Sequence, residues 1–527
     1  MERNLRDFFT PELAARSGCL ETLVPPGGAE NPRISGLEYD SRRVQPGSLY
    51  FALPGIHDDG RRYIPEAIRR GARAVVYQEA LSGYPPGAVY LRVGDSRFAM
   101  SPVSDAFYGS PSRHLAVIGV TGTEGKSTTV YLVFQLLRLL GKKAGFISTV
   151  QFSGGGDAAW NPEHQTTPEA TAIHRLLAMM RDQGAGYAVL ESSSHGLSPR
   201  TNRLGDVAFD VGVMTNVTHE HLEFHGTWEQ YRDDKVNLFR ALDRYDRLKA
   251  LGGGAPAFGV VNQDDPSAGY FAAATTRPCR SFSTKGAQAE LSLQSIESKA
   301  GGNAYRVLER EPHRVINIED HLPGAFNAGN VLAALLTVSG LLGAPIPELA
   351  PLVPRLEPVR GRMTAINKGQ PFEVLVDYAH TPSSFNAIFP PLRQRLNAAG
   401  GRIISLFGSA GERDRTKRPD QGAIASKWSD IVILSDEDPR GEVPMAILEE
   451  IAAGVLRDNP GRKRGEDLFL IPGRPEAIRK ALALARPGDL VLLLGKGHEN
   501  SIIYQHETRP FDEIGEAETA LAELGFS

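Results

Sequence analysis

The sequence is poor in cysteine, in long apolar runs and in net charge of either sign. Only Cys19 and Cys279 occur among 527 residues, which excludes a disulfide framework and a cysteine-rich metal site. No apolar run approaches the roughly 18 residues of a membrane span, and the charged segment MERNLRDFFTPELAARSG lacks the apolar core of a signal peptide. A formal net charge of −4 gives no reason to expect nucleic acid as a partner. We therefore expect a cytoplasmic protein that inserts into no membrane and binds no nucleic acid.

What the sequence does contain is the composition and length of a multidomain enzyme. With 41% apolar and 23% charged residues it is typical of a globular protein, and 527 residues exceed a single ordinary core. Short β-branched runs alternate with helical segments along most of the chain. This alternation predicts an α/β protein of two to four domains built on parallel sheets.

The segment LAVIGVTGTEGKSTT combines a short apolar run, a glycine-rich turn and the start of an apolar helix. Backbone N–H groups and the helix dipole favour an anion at such a turn, where Lys126 supplies a charge and Ser127 can ligate Mg²⁺. The strict P-loop spacing is not met, because the required glycine falls on Val120 and Gly119 lies one residue too early. A plain glycine turn is the alternative, but we favour a phosphate loop of variant spacing.

Two later segments place polar side chains after apolar strands, at the sheet edge where ligands collect. Glu191 follows the first of these strands, and a polar turn with His219, His221 and His225 follows the second, before a helix with Lys235. The histidines could hold zinc or lie in a solvated turn, and Lys235 alone would be an ordinary helix lysine. Beside a phosphate loop, oxygen ligands and Mg²⁺ are favoured over zinc.

After Pro354 the alternation restarts, which predicts a second parallel sheet. Four apolar strands each run into a polar tip, in FEVLVDYAHTP, RIISLFGSAG, DIVILSDEDPRG and DLVLLLGKGHEN. The charge cluster at residues 413–418 could be a solvated face. Its position directly after a strand and a glycine turn favours anion binding instead.

Taken together, these motifs resemble the Mur ligase family, and most closely its MurE type. DSRRVQPGSLYFALPG resembles the uridine-binding segment, GVTGTEGKSTT the ATP loop, and TTPEA, ESSSHGL and NVTHEHLEFHGTWEQYRDDK the central blocks. LPGAFNAGNVLAA, VRGRM, DYAHTP, GERDRTKRP, DPRGE and GKGHE then follow in family order. The resemblance implies three domains: an N-terminal UDP-binding domain over 1–113, a central P-loop-type parallel-sheet ATPase domain over 114–357, and a C-terminal Rossmann-like amino-acid-binding domain over 358–527.

The reaction implied by the resemblance is an ATP-dependent amide ligation in peptidoglycan precursor synthesis. ATP would activate a carboxylate of UDP-N-acetylmuramoyl-L-alanyl-D-glutamate as an acyl phosphate, which the amine of a diamino acid attacks. The expected cofactors are ATP and Mg²⁺, and the expected state is a monomer. Four alternatives stay open: another Mur-type ligase, a ligase like folylpolyglutamate synthase, a P-loop phosphotransferase or ATPase, and a non-catalytic scaffold.

The resemblance also implies roles for individual residues. Catalysis would depend on Lys126, Glu191, His221 and Lys235. The ATP site would comprise Gly122, Thr123, Glu124, Gly125, Lys126, Ser127, Thr128, Asn330, Arg362 and Asp377. The UDP-linked substrate would contact Ser41, Thr166, Thr167, Ser193 and Arg203, and the amino acid would contact Arg413, Asp438, Arg440, Gly495 and Glu499. The metal ligands would be Ser127, Glu191, His221 and Lys235, the last as a carbamate formed with CO₂, which turns a cation into a carboxylate.

Departures from the family pattern bear on two of these roles. Glu124 stands where asparagine is usual and adds a negative charge that Lys126 must outweigh. The segment after ESSSHGL is two residues longer than usual, and Arg203 rather than Arg200 aligns with the substrate-contacting arginine.

The identity of the added amino acid depends on the EDPR motif. Enzymes that add diaminopimelate carry Asp-Asn-Pro-Arg, whose arginine binds the distal carboxylate, and here Arg440 is retained but Asp438 replaces asparagine. The arginine favours diaminopimelate, whereas the additional carboxylate suits the distal ammonium of lysine or ornithine. Of the two, we expect lysine or ornithine.

Overall fold

The computed structural model describes residues 2–26, 28–55, 59–161, 165–218, 222–245, 257–299, 302–397 and 400–527. His219 and His221, singled out above as candidate ligands, lie outside these residues. The chain divides into two compact units. The first comprises Met1–His321 with Ala325–Leu356, and the second comprises Leu322–Gly324 with Glu357–Ser527.

The first unit begins with a mostly parallel sheet that contains five strands within the described residues. Their order across the sheet is Cys19–Leu23, Val89–Val93, Ala74–Tyr77, Ser48–Phe51 and Gly36–Glu38. Only the first of these strands pairs antiparallel to its neighbour. The central strands are buried throughout, as expected for a parallel sheet covered on both faces. The associated helices are Leu5–Phe8, Pro11–Arg16, Ile64–Arg69 and Ser96–Phe107, with 3₁₀ turns at Ser41–Arg43, Gly60–Tyr63 and Pro111–His114.

The larger sheet of the first unit contains eleven strands within the described ranges. Their order is Ala159–Trp160, Gln151–Ser153, Ala144–Ile147, Tyr187–Glu191, Ala116–Thr121, Val211–Met214, Phe258–Asn262, Cys279–Ser283, Leu291–Lys299, Gly302–Glu309 and Arg314–Asp320. The seven strands from Ala144–Ile147 to Leu291–Lys299 run parallel, and both margins are antiparallel. The described helices are Lys126–Leu139, Ala170–Asp182, Ser194–Leu197, Leu222–His225, Trp228–Ala241, Ala268–Ala272, Asn327–Leu342 and Ile346–Leu349, with a 3₁₀ turn at Ala350–Arg355.

Strand register brings the predicted site residues of this unit to one edge of the sheet. Ala116–Thr121 lies between two parallel neighbours, with Val120 opposite Glu191 and Thr121 opposite Met214. The loops that follow these three strands therefore start side by side. This is the carboxyl edge at which ligands of parallel sheets bind.

The second unit is a doubly wound sheet with six strands among the described residues. Their order is Thr364–Ile366, Glu373–Asp377, Leu490–Leu494, Ile403–Phe407, Ile431–Leu434 and Leu468–Leu470. Alternate strand residues enter two separate apolar cores, one on each face. The helices are Pro382–Asn397, Lys417–Trp428, Pro444–Asp458, Arg474–Leu484 and Glu513–Glu523, and a hairpin pairs Ser501–Ile503 with Thr508–Pro510.

The α/β class and the two parallel sheets predicted from the sequence are confirmed by this architecture. The two units divide after Leu356, one residue from the predicted boundary after residue 357. Residues 1–113, predicted as a separate domain, belong to the same compact unit as the larger sheet. The three-domain boundaries stay a prediction. Among the described residues, no single helix combines the length and hydropathy needed to cross a membrane. The helices Asn327–Leu342 and Ile346–Arg355, bent by 114° relative to each other, meet those requirements only as a pair and only by length and composition.

Candidate active site

The glycine-rich loop joins the buried strand Ala116–Thr121 to the helix Lys126–Leu139. Gly125 precedes the helix with φ +79° and offers no side chain as a cap, so the first N–H groups of the helix are not capped by it. A Cβ on Gly125 would overlap the amide oxygen of Asn330, which lies against the loop. Thr129 donates to the same oxygen over 3.2 Å. The predicted ATP-site residue Asn330 is therefore brought to the loop from about 200 residues further along the chain.

The backbone of the loop is hydrogen-bonded to the residues that follow the neighbouring strand Val211–Met214. The N–H groups of Thr123 and Glu124 donate to the Asn216 side-chain oxygen over 3.2 and 2.9 Å. Thr215 donates to the carbonyl of Glu124 over 2.6 Å. The Glu124 side chain is exposed, so its charge is screened by solvent. Lys126 is half-buried and its Nζ donates to the carbonyl of Thr123 over 2.7 Å, so the ammonium lies over the loop.

Ser127 and Glu191 form a hydroxyl–carboxylate pair beside the loop. Ser127 Oγ donates to Glu191 Oε2 over 2.9 Å, and both side chains are buried. The same carboxylate oxygen accepts from the N–H and the hydroxyl of Thr149, over 2.8 and 3.0 Å. No motif in the sequence points to Thr149, and only its contact with Glu191 reveals it.

The donor set of this pair fits Mg²⁺. Both donors are hard oxygen atoms next to a phosphate loop, and Mg²⁺ in such sites is held by one or two carboxylates, phosphates and water. Within the residues that the structure describes, no group of three or more His, Cys, Asp or Glu side chains could hold a metal. A zinc cluster is therefore absent from the described part of the chain.

Lys235 projects from the helix Trp228–Ala241 towards the same loop. The side chain is 1% exposed, and Nζ donates to the carbonyl of Gly122 over 2.6 Å. Nζ also lies 4.4 Å from the centre of the Tyr231 ring. Lys235 is therefore not an ordinary solvated helix lysine, because its amine is buried at the loop.

His225 joins the helix of Lys235 to the loop after Glu191. Its Nδ1 lies 2.7 Å from Asp234 and its Nε2 lies 3.0 Å from Ser194 Oγ, and all three side chains are buried. From the sequence this histidine belongs to a polar turn that could hold zinc or be solvated, and in the structure it is buried. It is the last residue of the helix Leu222–His225.

Three of the residues predicted to contact the UDP-linked substrate lie together next to Glu191. Thr167 Oγ1 donates to the backbone carbonyl of Glu191 over 2.9 Å and accepts from the N–H of Ser193 over 3.0 Å. Arg203 donates to the carbonyl of Thr167 over 2.7 Å and to Glu169 over 2.8 Å. Arg200 instead bonds the carbonyl of Phe224, which favours Arg203 as the aligned arginine.

Ser41 and Thr166 complete the predicted substrate set. Ser41 is buried in the 3₁₀ turn Ser41–Arg43 beside the five-stranded sheet, and Thr166 directly precedes Thr167. Glu169 links the residues around Thr167 to the helix Ser96–Phe107, because it pairs with Arg203 and, over 3.1 Å, with Arg97. Sequence reasoning missed this acid. Only these contacts distinguish Glu169 from an ordinary helix-start acid.

In the second unit, Arg362 and Asp377 lie beside Tyr378. The Arg362 guanidinium is 4.8 Å from the centre of the Tyr378 ring. Asp377 accepts the N–H groups of Met363 and Ala379 over 2.7 Å each. Burial raises the pKa of Asp377, while Arg362 acts in the opposite direction. The two predicted nucleotide contacts of this unit are therefore close to one another.

Two of the predicted amino-acid residues of the second unit, Asp438 and Glu499, pair with a buried lysine that sequence reasoning missed. Lys496 Nζ donates to Asp438 Oδ1 over 2.9 Å and also pairs with Glu499. The N–H of Ile503 donates to the same Asp438 oxygen over 2.9 Å. Much of the charge of Asp438 is therefore already offset by Lys496. Burial raises the pKa of Glu499, which also accepts from Tyr378 over 3.3 Å.

Glu437 is the second residue of this region that sequence reasoning missed. It is 7% exposed, and its Oε2 has no hydrogen-bond partner in the part of the chain that the structure describes. Burial raises its pKa, and Gly495 lies against its carboxylate. The guanidiniums of Arg413 and Arg440 form no ion pair within 4.0 Å with a described carboxylate, and Arg413 is exposed.

Comparison with known proteins identifies the family. Three family models match: "Mur ligase family, catalytic domain" at residues 33–93, "Mur ligase middle domain" at 120–338, and "Mur ligase, glutamate ligase domain" at 361–497. The chain is 51% identical over 505 residues to the UDP-N-acetylmuramyl-tripeptide synthetase of Treponema denticola, covering 92% of this chain and 93% of that protein. The chain belongs to the Mur ligase family.

Two further relatives of this Mur ligase span nearly its whole length. The UDP-N-acetylmuramyl-tripeptide synthetase of Roseiflexus sp. is 46% identical over 96% of this chain and 98% of that protein. A solved structure of a UDP-N-acetylmuramoyl-L-alanyl-D-glutamate--2,6-diaminopimelate ligase superposes with a TM-score of 0.59 at 27% identity, over 94% of this chain and 96% of that one. The resemblance drawn from the motifs, including the MurE type, is thereby confirmed.

Proposed function

We propose that this Mur ligase joins a diamino acid to UDP-N-acetylmuramoyl-L-alanyl-D-glutamate and converts ATP to ADP and phosphate in the same reaction. The observation that carries the proposal is the convergence at one sheet edge of the phosphate loop, the Ser127–Glu191 pair and the Thr167–Ser193 pair. Glu191 joins the two pairs, because its carboxylate accepts from Ser127 and its backbone carbonyl accepts from Thr167. A phosphoryl donor bound at the loop and a carboxylate bound at Thr167 and Ser193 would both be next to Glu191.

The chemistry has two balanced steps. A carboxylate oxygen of the dipeptide attacks the γ-phosphorus of ATP, and ADP leaves, which gives an acyl phosphate. The neutral amine of the diamino acid then attacks the acyl carbon, and phosphate leaves with the electron pair of the broken C–O bond, while the nitrogen loses one proton and keeps the other as the amide N–H. Lys126 and the uncapped N–H groups of the following helix stabilise charge on the transferring phosphoryl group.

Mg²⁺ belongs to the proposal, with Ser127, Glu191 and a carbamate on Lys235 as its protein ligands together with His221. It would supply charge neutralisation on the phosphate oxygens. Lys235 supports the carbamate because it is 1% exposed and its Nζ lies beside the loop, at the carbonyl of Gly122. Addition of CO₂ to the neutral amine gives a carbamate and releases one proton.

For the amino acid, we propose lysine or ornithine rather than diaminopimelate. Asp438 and Glu499 pair with the ammonium of Lys496, and the charge of Glu437 is offset in part by Lys417, Lys496 and Arg474. The buried Oε2 of Glu437 has no hydrogen-bond partner among the described residues, and a distal ammonium beside it would supply one. Arg413, exposed in the loop after its strand, would bind the α-carboxylate.

The proposed function is tested by phosphate release from purified protein with ATP, Mg²⁺, the UDP-linked dipeptide and a panel of L-lysine, L-ornithine and meso-diaminopimelate. We expect release that requires both the dipeptide and a diamino acid, and a tripeptide product detected by mass spectrometry. Full turnover with ATP and water alone would indicate an ATPase, and no turnover with any combination would indicate a scaffold.

The specificity proposal has its own test in the same assay. Glu437→Gln is expected to lower kcat/KM for lysine or ornithine by tenfold or more, about 1.4 kcal/mol, because the distal ammonium loses its charged partner. Glu466→Gln, an exposed acid of the same unit paired to Lys463, is the matched control. A tenfold preference of the wild-type protein for diaminopimelate would contradict the proposal and leave the ligase function intact.

A further inference from the structure

Two neighbouring loops of the second unit carry the residues predicted to bind the amino acid. Arg413 lies in the loop after the strand Ile403–Phe407, and Asp438 and Arg440 lie in the loop after the adjacent parallel strand Ile431–Leu434. Each loop contains a residue other than glycine in the left-handed region, Glu412 at φ +55° and Arg440 at φ +53°. Such conformations persist only where surrounding contacts hold them.

Backbone contacts join the two loops directly. The N–H of Gly411 donates to the carbonyl of Asp438 over 2.8 Å, and a Cβ at residue 411 would overlap the carbonyl of Pro439. The N–H of Glu412 donates to the carboxylate of Glu442 over 2.6 Å. The positions of Arg413 and of Asp438 are therefore coupled, since each is two residues or fewer from one of these contacts.

A single buried guanidinium binds both loops. Arg418 is fully buried near the start of the helix Lys417–Trp428. It donates to both carboxylate oxygens of Glu442 over 2.9 and 3.0 Å and to the carbonyl of Ala410 over 3.1 Å. It also donates to Glu450 over 2.8 Å, on the helix Pro444–Asp458. The hydrogen bond from Arg418 is the main cause that lowers the pKa of Glu442 to about 2.

We propose that Arg418 is a positioning residue for the incoming amino acid, which with Glu442 fixes the Arg413 loop against the Asp438–Arg440 loop. The inference rests on the proposed function, because the binding roles of Arg413 and Arg440 are part of it. Arg418 itself touches no ligand. A planar fork of five donors can reach Glu442, Glu450 and Ala410 at once, whereas the compact ammonium of a lysine cannot reproduce that geometry.

The test compares Michaelis constants for the three substrates in purified full-length variants. Arg418→Lys keeps the charge and removes the fork, and Glu442→Gln keeps the shape and removes the charge that both Arg418 and the Glu412 N–H contact. Both are expected to raise KM for the diamino acid tenfold or more, with KM for ATP and for the UDP-linked dipeptide within twofold of wild type. The control is Arg457→Ala, which removes the exposed pair with Asp420 between the same two helices and should change none of the three constants.

The KM for the diamino acid decides the inference. An unchanged value in folded Arg418→Lys or Glu442→Gln overturns it, as does an equal rise of all three constants, which would indicate general loss of structure. If Arg418→Lys does not fold, Glu442→Gln alone decides. Failure of the proposed function is distinguishable, because the wild-type protein would then release no phosphate that depends on a diamino acid.

Discussion

Lys126 and Lys235 are two lysines that donate to carbonyls of the same glycine-rich loop but differ in exposure. Lys126 is half-buried and bonds Thr123, whereas Lys235 is 1% exposed and bonds Gly122. In the proposal the ammonium of Lys126 acts on the transferring phosphoryl group. Lys235, buried at the loop, carries the proposed carbamate. The same residue type therefore has two roles in the proposal.

Lys126→Ala is expected to lower kcat about 10²-fold or more, because the transferring phosphoryl group loses a positive charge in the transition state. The measurement is the rate of phosphate release at saturating substrates. Lys142→Ala, which removes an exposed lysine just beyond the same helix, should leave the rate unchanged. A kcat of Lys126→Ala within threefold of wild type would refute the assignment.

Lys235→Ala is expected to be severely impaired and to regain part of its activity with added acetate or formate, which can occupy the position of the proposed carbamate. A second readout does not depend on turnover. Wild-type protein equilibrated with ¹³C-bicarbonate should show a carbamate resonance in its ¹³C spectrum, and Lys235→Ala should lack it. Normal activity of Lys235→Ala, or no such resonance in the wild-type protein, would exclude the modification.

At the level of elements, the helix Ala170–Asp182 connects the two sheets of the first unit. Ala170 and Ala178 enter the core of the five-stranded sheet, while Ile173 and Leu177 enter a core of the larger sheet. Within this helix His174 is fully buried, and neither ring nitrogen has a hydrogen-bond partner among the residues described. Because this helix packs into two apolar cores, a charged side chain at one of its buried positions is unfavourable.

Acidification is expected to destabilise the first unit through His174. Burial lowers its pKa to about 4, so the unfolded chain binds a proton first and stability falls as the pH drops from about 6.5 to 4. Asp105, at 3.8 Å, and the nearby Asp206 and Arg16 face the ring. His174→Leu should flatten this dependence by an amount on the order of 3 kcal/mol.

The measurement is urea unfolding of both proteins at several pH values between about 7.5 and 4, a range that spans the titration of a histidine. Burial raises the pKa of Asp105, which favours the folded state on acidification and so acts against the effect of the histidine. His114→Leu replaces an exposed histidine of the same unit and should follow the wild-type curve. Parallel curves for wild type and His174→Leu would contradict the expectation.

The whole molecule consists of two units with separate apolar cores. All residues predicted to contact the UDP-linked substrate lie in the first unit, whereas those predicted to contact the amino acid lie in the second. The three tryptophans divide in the same way, with Trp160 and Trp228 in the first unit and Trp428 in the second. Each unit can therefore be followed by its own fluorescence.

Thermal unfolding is expected to show two transitions, because each unit buries its own core. The UDP-linked dipeptide at about 100 times its Kd should stabilise the first unit by about 2.7 kcal/mol and leave the second unchanged. Trp428→Phe reports the first unit, and the double variant Trp160→Phe, Trp228→Phe reports the second. A single transition, or an equal shift of both signals with the dipeptide, would contradict this division.

Much of the fold follows from local pattern. The strands around the phosphate loop and the four strands predicted after Pro354 are formed where apolar runs indicate them, because buried parallel strands need continuous β-branched or aliphatic residues. The strands Thr364–Ile366 and Leu468–Leu470 and the three strands over 291–320 are not predicted by such runs. They are short or alternate with polar residues, and their pairing depends on neighbours elsewhere in the chain.

For the site, local sequence is enough to give the residue types and the sheet edge at which they lie. The turn, its lysine and the acid after a neighbouring strand are local features, and parallel strands bring their carboxyl ends to one edge. The partners depend on the tertiary fold: Asn330 against Gly125, Lys496 on Asp438, and Glu437 buried with an unpaired oxygen among the described residues. The first two contacts join residues about 200 and 60 positions apart. These contacts depend on the strand register and on which side chains stay outside the packed core. Neither of these is encoded by a short-range sequence pattern.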